Sequence, residues 1–182
     1  MKRLLYLALL ANIYFTSCTK NSTEISPTTK KVDTTNPTAT PPVDSKVNTN
    51  IDNTAMLKLV NDTRAAGCTC GTTAMPPVAP LTWNDVLASV ALSHSQDMST
   101  TGQFSHNSSD GTSFSARIAA AGYTNWSALG ENIAYGQTTE QQVFDAWIQS
   151  EGHCKNIMNG SFKEMGAAKV GTYWTQDFGT KQ

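Results

Sequence analysis

Three polar side chains could carry chemistry: His106 in Phe104-Ser105-His106, Glu131 in Gly130-Glu131-Asn132, and His153 in Ser150-Glu151-Gly152-His153. Each sits in a segment rich in glycine and aromatic residues, where loops put functional groups on a rigid scaffold. Two imidazoles supply metal ligands or a proton shuttle near neutral pH, and a carboxylate supplies a base. If the three converge, they make an open divalent-metal site on His106 and His153, or an acid–base pair with Glu131 as the candidate catalytic base. The remaining histidine, His94, shares a helix face with Leu87 and Met98 and reads as a packed residue with one nitrogen hydrogen-bonded.

The cysteines are the second source of chemistry. Of the four, Cys18 closes the N-terminal leader, which leaves Cys68, Cys70 and Cys154. In an oxidising compartment one pair should close. A Cys68–Cys70 bridge would be a very tight ring, so a long-range bridge to Cys154 is expected. Cys70 is favoured because Gly71 beside it gives the backbone room to meet the Cys154 turn; Cys68 is the alternative. Loop closure over such a span is worth about 4 to 5 kcal/mol. Cys68-x-Cys70 as a metal motif is weaker, since no second close-spaced pair follows.

Positioning these groups falls to a modest set of elements. Asp52 or Asn53 can cap a helix through Met56, Leu57 and Val60 to Arg64, with Gly67 as its stop. Met75-Pro76-Pro77 and Pro80 read as irregular extended chain. Asn84 caps a second helix carrying Leu87, Ala91, His94 and Met98 on one face and ending at Gly102. Thr112 is expected to cap a third, with Phe114, Ile118 and Ala121 inward. Trp126 to Gly136 holds an apolar turn or strand. Thr139-x-x-Gln142 is a capping box for a fourth helix, which Gly152 should terminate. From Gly166 the period changes to two, and a hairpin turns at Gly171. Tyr173, Thr175 and Asp177 share one face of it; Trp174, Gln176 and Phe178 share the other. Helices followed by a late antiparallel hairpin make an α+β domain over residues 51–182.

The preceding residues have another logic. Met1-Lys2-Arg3, an apolar run from Leu4 to Phe15, and Thr16-Ser17-Cys18 form a signal-peptide layout over residues 1–17. The run is too short to span a bilayer, which takes about 20 apolar residues. Phe15-Thr16-Ser17-Cys18 resembles a bacterial lipobox, with Phe15 where Leu is commoner, so Cys18 is the expected lipidation site. Residues 18–50, dominated by Thr, Ser, Asn, Pro and Lys, should form a disordered tether, unable to bury enough surface to offset their ordering entropy. A net charge of −1 and no basic stripe argue against nucleic acid as a partner.

Taken in order, the motifs resemble a known family. Leu81-Thr82-Trp83-Asn84, Phe104-Ser105-His106, Asp110-Gly111, Gly130-Glu131-Asn132-Ile133-Ala134, Trp147-x-x-Ser150 with Gly152-His153, and Tyr173-Trp174-x-Gln176-x-Phe178 follow the bacterial branch of the CAP superfamily. This superfamily comprises the cysteine-rich secretory, antigen 5 and pathogenesis-related proteins, also called SCP-like extracellular proteins. The resemblance implies an α-β-α sandwich with helices on both faces of a short antiparallel sheet. It also implies a cleft shared by His106, Glu131, Ser150 and His153, able to hold a divalent cation, Zn²⁺ or Ca²⁺. Ser150 stands where eukaryotic relatives carry a second glutamate, and Glu151 where bacterial ones usually carry proline, so a two-His, two-Glu tetrad is not complete. Members are associated with sterol or lipid binding, and proteolysis has been suggested for some.

The function expected from these features is an exported, lipid-anchored binding module of the bacterial envelope, otherwise a secreted one. Its cleft would take a small lipid, sterol or glycan, or its surface an envelope protein, and its acylated N-terminus would meet the membrane. A metal-dependent hydrolase or protease of the envelope is the alternative, although no nucleophile elbow or His-Glu-x-x-His helix is present.

Overall fold

The computed structural model describes residues 44–182. The leader, Cys18 and most of the expected tether lie outside the described residues. Ser45 to Asn50, assigned to the tether by composition, lie against the fold. Ser45 Oγ donates to Asp85 at 2.7 Å, Thr49 is buried, and its carbonyl accepts the Lys169 amide at 3.0 Å.

The first helix, α1 (Asn53–Ala66), is capped by the Asp52 side chain, which accepts from the Ala55 amide, and Gly67 follows at φ 72°. Its last turn carries Arg64, fully buried and with no carboxylate among its hydrogen-bond partners in the described residues. The guanidinium instead donates to four carbonyls: Ala79 at 2.8 Å, Ile157 at 2.7 Å, Asn159 at 3.0 Å and Phe162 at 3.4 Å. Burial pushes its pKa down to about 10. The side chain thereby ties α1 to the loops that follow two other elements.

Next comes a hairpin that composition did not reveal. β1 (Cys68–Cys70) pairs antiparallel with β2 (Thr73–Met75) around Gly71. Strands this short have too few residues to show alternation, which hides them in sequence. Beyond β3 (Thr82–Trp83), Asn84 caps α2 (Asp85–Thr101) by accepting from the Val86 and Leu87 amides, and Gly102 ends it in the left-handed region. The short α3 (Phe114–Ala120) is capped by Ser113, one residue later than expected.

The apolar segment before Gly136 is a full strand, β4 (Trp126–Tyr135). Thr139 caps α4 (Glu140–Gln149). This helix stops before Gly152: Ser150 turns extended at φ −93°, ψ 120°, and a separate helix, α5 (Glu151–Ile157), starts in a new direction. The C-terminal hairpin joins β5 (Glu164–Val170) to β6 (Tyr173–Lys181).

β3, β5, β6 and β4 form one sheet in that order, antiparallel except for the two-residue parallel pairing of β3 with β5. Helices cover both faces, giving the three-layer α-β-α arrangement. The larger core lies beneath α1, α4 and α5, where Met56, Val60, Trp147 and Ile157 meet Met165, Trp174 and Phe178. α2 covers the other face, so close that a Cβ at Gly166 would come within 2.1 Å of the Ala88 amide. Only glycine permits that approach. Both faces of β6 are buried in consequence, and β4 is left as an edge strand.

Candidate functional site

The site is built on edge strand β4, where successive side chains point to opposite faces of the sheet. Glu131 therefore points toward the α2–α3 side and Asn132 toward the α4–α5 side. Each holds one wall of the same cleft.

On the first side Glu131 is almost wholly buried, its side chain 1% exposed, and both carboxylate oxygens are engaged. Oε1 accepts from His106 Nδ1 at 2.8 Å, and Oε2 accepts from Arg117 Nη2 at 2.5 Å. Arg117, on α3, also donates through Nη1 to the carbonyls of His106 at 2.9 Å and Thr112 at 3.2 Å. It thus pins both ends of the loop that displays His106. The loop has a second anchor: His94, buried on α2, bonds through Nε2 to the Ser105 carbonyl at 2.8 Å. A carbonyl can only accept, so Nε2 carries the hydrogen; burial pushes the pKa of His94 down and keeps the ring neutral.

Behind Glu131 lies Asp177 of β6, its direct cross-strand partner in the register. It is fully buried, and neither oxygen meets a partner with hydrogen-bond geometry. Burial first, and the charge of Glu131 second, push its pKa well above the usual carboxylate range. The protonated, neutral acid is the form this environment favours.

The second side uses amides. Asn132, fully buried, donates to the His153 carbonyl at 3.3 Å and to Gln176 Oε1 at 3.1 Å, and accepts from Asn156 Nδ2 at 2.9 Å. Asn156 Nδ2 also reaches the Glu131 carbonyl at 3.1 Å. These bonds fix the start of α5, and with it His153. Burial, and then the proximity of His106, hold the His153 imidazole below its ordinary pKa.

His106 and His153 line a common open cleft of about 440 Å³, together with Phe104, Ser105, Asn107 and Ile133. His106 stands forward, its side chain 53% exposed. Glu131 and Ser150, expected among the lining residues, are not there. Glu131 lies behind His106 as its hydrogen-bond partner, and Ser150 forms the break between α4 and α5 without a side-chain cap bond. Arg117, Asn132 and Asp177 were not singled out by the sequence. Asn132 had a signal, being part of the Gly130-Glu131-Asn132 motif; Arg117 had none. Aromatic rings continue from the cleft mouth. Phe104, 51% exposed, lies 6.4 Å from Tyr135, 58% exposed, which lies 4.6 Å from Tyr173. Tyr123 is fully buried, while Trp126 is partly exposed.

The disulfide joins Cys70 to Cys154 with their Cα atoms 5.5 Å apart. Gly71, at φ 60°, lies beneath the Glu151 side chain, which a Cβ there would meet at 2.6 Å. The sulfurs of Cys68, Cys70 and Cys154 lie within 4.8 Å of one another, the one group of three or more potential metal-ligating side chains at such spacing among the described residues.

Comparison with known proteins agrees with this architecture. The sequence model of the Cysteine-rich secretory protein family, CAP, matches residues 57–178. The uncharacterized protein YkwD of Bacillus subtilis (strain 168) is 40% identical over 101 residues, covering 54% of this chain and 39% of that protein. The uncharacterized membrane protein YlbC of the same organism is 35% identical over 101 residues, covering 56% of this chain and 29% of that protein. The chain thus spans well under half the length of these curated relatives. Among solved structures, an extracellular protein containing an SCP domain from Bacillus anthracis str. Ames is similar with a TM-score of 0.63 and 28% identity, over 71% of this chain and 40% of that one. A cysteine-rich secretory protein from Staphylococcus aureus (SAV1118) shares the fold, with a TM-score of 0.55 and 17% identity over 70% of this chain and 37% of that one.

Proposed function

The chain belongs to the cysteine-rich secretory protein (CAP) family, and from that premise we propose that it works outside the cytoplasm as a tethered, non-catalytic binding module whose cleft takes a glycan beside a divalent cation. The observation that carries this reading is the pairing of His106 with buried Glu131 on one wall of the cleft and His153 on the other. An imidazole that gives Nδ1 to a carboxylate keeps Nε2 for a cation, the usual outer-shell arrangement of a metal-ligating histidine. His153, held below its ordinary pKa by burial, stays neutral at pH 7, the form that ligates. Two imidazoles suit Zn²⁺ better than Ca²⁺, which takes oxygen ligands. Among the described residues no group of three His, Cys, Asp or Glu side chains at ligand spacing includes them, so the remaining positions belong to water or to ligand oxygens.

A glycan fits the surroundings better than a sterol or an acyl chain. Apolar ligands of that kind need enclosing walls. This cleft is open, with Phe104 and Ile133 as its apolar lining, and a row of rings runs on from Phe104 at its mouth to Tyr135 and Tyr173, against which sugar rings can stack while their hydroxyls meet the polar side. The hydrolytic alternative would need Glu131 as a base. With both oxygens engaged and the group buried, Glu131 serves to orient His106. Cys18 supplies the lipid anchor in this reading, and the residues after it supply the spacer; incorporation of labelled fatty acid, lost in Cys18→Ser, tests that part.

Zinc titration into the oxidised protein, followed calorimetrically, tests the site. Wild type should give one saturable event, and His106→Ala and His153→Ala should each weaken it by about tenfold or more. Soluble envelope-glycan fragments should then bind the wild-type protein and bind the two variants less tightly. No saturable zinc binding, or equal binding by all three proteins, refutes the metal site; absence of glycan binding refutes the ligand class.

A further inference from the structure

The loop between α2 and α3 lines two hollows. Its first part borders the cleft through Phe104 to Asn107. Its second part, through Ser108, Asp110 and Thr112, borders a separate pocket of about 340 Å³ that shares no lining residue with the cleft. Ser89 and Ser93, one turn apart on α2, are exposed there and bring two more hydroxyls. Val90, Ala120 and Ala121 give the pocket a small apolar patch. Asp110 accepts the Thr112 amide at 2.8 Å, and that bond leads the causes that hold its pKa below the usual carboxylate range. It brings a negative charge to the lining.

Arg117 belongs to the lining as well, its side chain only 10% exposed. Nη2 is spent on Glu131, and Nη1 on the His106 and Thr112 carbonyls and on Ser108 Oγ at 3.3 Å. The third nitrogen, Nε, is buried and has no acceptor among the described residues. A buried donor left in that condition is costly, which favours an acceptor oxygen supplied by a ligand. Charge narrows the kind of oxygen. Glu131 already balances the guanidinium and Asp110 adds a negative charge, so an anion is disfavoured and a neutral acceptor, such as an amide carbonyl, is preferred. The rest of the lining calls for hydroxyl groups to meet Asp110 and the serines, and for a small apolar group to cover the alanines. The volume lies near the lower end for ligand pockets, enough for one sugar ring and too little for a sterol or an acyl chain.

We propose that this pocket is a subsite for an N-acetylated sugar. The acetamido carbonyl accepts from Arg117 Nε, the acetyl methyl lies on Val90, Ala120 and Ala121, and ring hydroxyls pair with Asp110, Ser89 and Ser93. A peptide would bring the amide without the hydroxyls that this lining is suited to meet. The subsite needs no cation, so it stands or falls apart from the zinc-binding reading of the cleft.

Titration of N-acetylglucosamine into the isotope-labelled full chain, followed by NMR, tests this. Saturating shifts are expected at the Ser89, Ser93, Ala120 and Ala121 amides and at the Arg117 Nε–H, at sugar concentrations up to about 10 mM. Glucose, which lacks the acetamido group, should bind at least about tenfold more weakly. Ser93→Trp and Ala120→Trp, each folded by circular dichroism and each placing bulk at the pocket, should weaken N-acetylglucosamine by about tenfold or more. His153→Ala, which alters the cleft alone, should leave the pocket shifts in place. The proposal is overturned if no saturating shift appears at these positions, if glucose binds as well as the acetylated sugar, if both tryptophan variants bind like the parent chain, or if His153→Ala abolishes the shifts.

Discussion

On one side of β4, Glu131 meets Arg117 and His106 through charge; on the other, Asn132 meets the His153 carbonyl, Asn156 and Gln176 through amides alone. Both arrangements hold a histidine at the same cleft, and both are buried, yet their physics differs. A buried ion pair needs each partner to offset the desolvation of the other, so losing one leaves an uncompensated charge. A network of neutral amides costs less to bury, and its failure is correspondingly milder. The charged side also has Asp177 behind it, a buried acid whose pKa is raised by burial and by Glu131, and the pH dependence this gives is not shared by the amide side. The histidine on the charged side reaches furthest into solvent, and the one on the amide side is more enclosed.

Removing Arg117 should therefore have the largest effect. Arg117→Met leaves Glu131 buried without its cation and frees both ends of the His106 loop; a loss of about 3 to 5 kcal/mol in denaturant unfolding is expected. A loss below about 1 kcal/mol would mean that the two sides do not differ in the way described. Asn132→Ala comes next. It leaves the Gln176 and Asn156 side chains short of a partner and should cost about 1 to 3 kcal/mol, with the loss unchanged between pH 5 and pH 8. A pH-dependent loss there would blur the comparison.

Asp177→Asn should be the smallest change at neutral pH and the most informative one across pH. In the wild type, burial and Glu131 raise the folded-state pKa of Asp177 above its unfolded value. Below about pH 4 both states hold the proton. As pH rises past that point, the unfolded chain loses the proton while the folded chain keeps it, so this group's contribution makes stability fall with rising pH until the raised pKa is reached. The asparagine variant lacks that slope. Unfolding curves collected between pH 4 and pH 8 should show the variant gaining on wild type as pH increases. Parallel curves would mean that Asp177 is ionised in the fold.

Legibility followed the range of the interaction. Asp52, Asn84, Thr139 and the turn at Gly171 act within a few residues, and their elements appear close to where local chemistry places them. The two faces of the C-terminal hairpin also follow from simple alternation: Thr175 bonds Ser95 of α2 at 2.9 Å, while Trp174 and Phe178 enter the opposite core. Elements too short to show a period escaped, namely β1, β2 and the separate α5. At Ser150 the chain changes direction without a glycine or proline, and Gly152, the residue expected to stop α4, lies inside α5. Of the site, His106 and His153 were legible as candidate histidines, His106 on a loop as expected and His153 on α5 instead of in a loop. Arg117 was not, because an arginine on a seven-residue helix is ordinarily a solvated side chain, and its burial depends on a carboxylate from a different element.

The amino-acid sequence alone determines the alternation within Gly130-Glu131-Asn132, the helix caps, the period change at Gly166, and the ordered motifs by which the family is recognised. All of these are local, since they rest on backbone geometry and on neighbours a few residues apart. Only the tertiary structure decides that Cys70 bonds Cys154 while Cys68 stands beside them, that Asp177 lies behind Glu131, and that Arg117 joins the loop to the sheet. Those facts depend on which distant segments are packed together, and on how much water the packing removes from each charge.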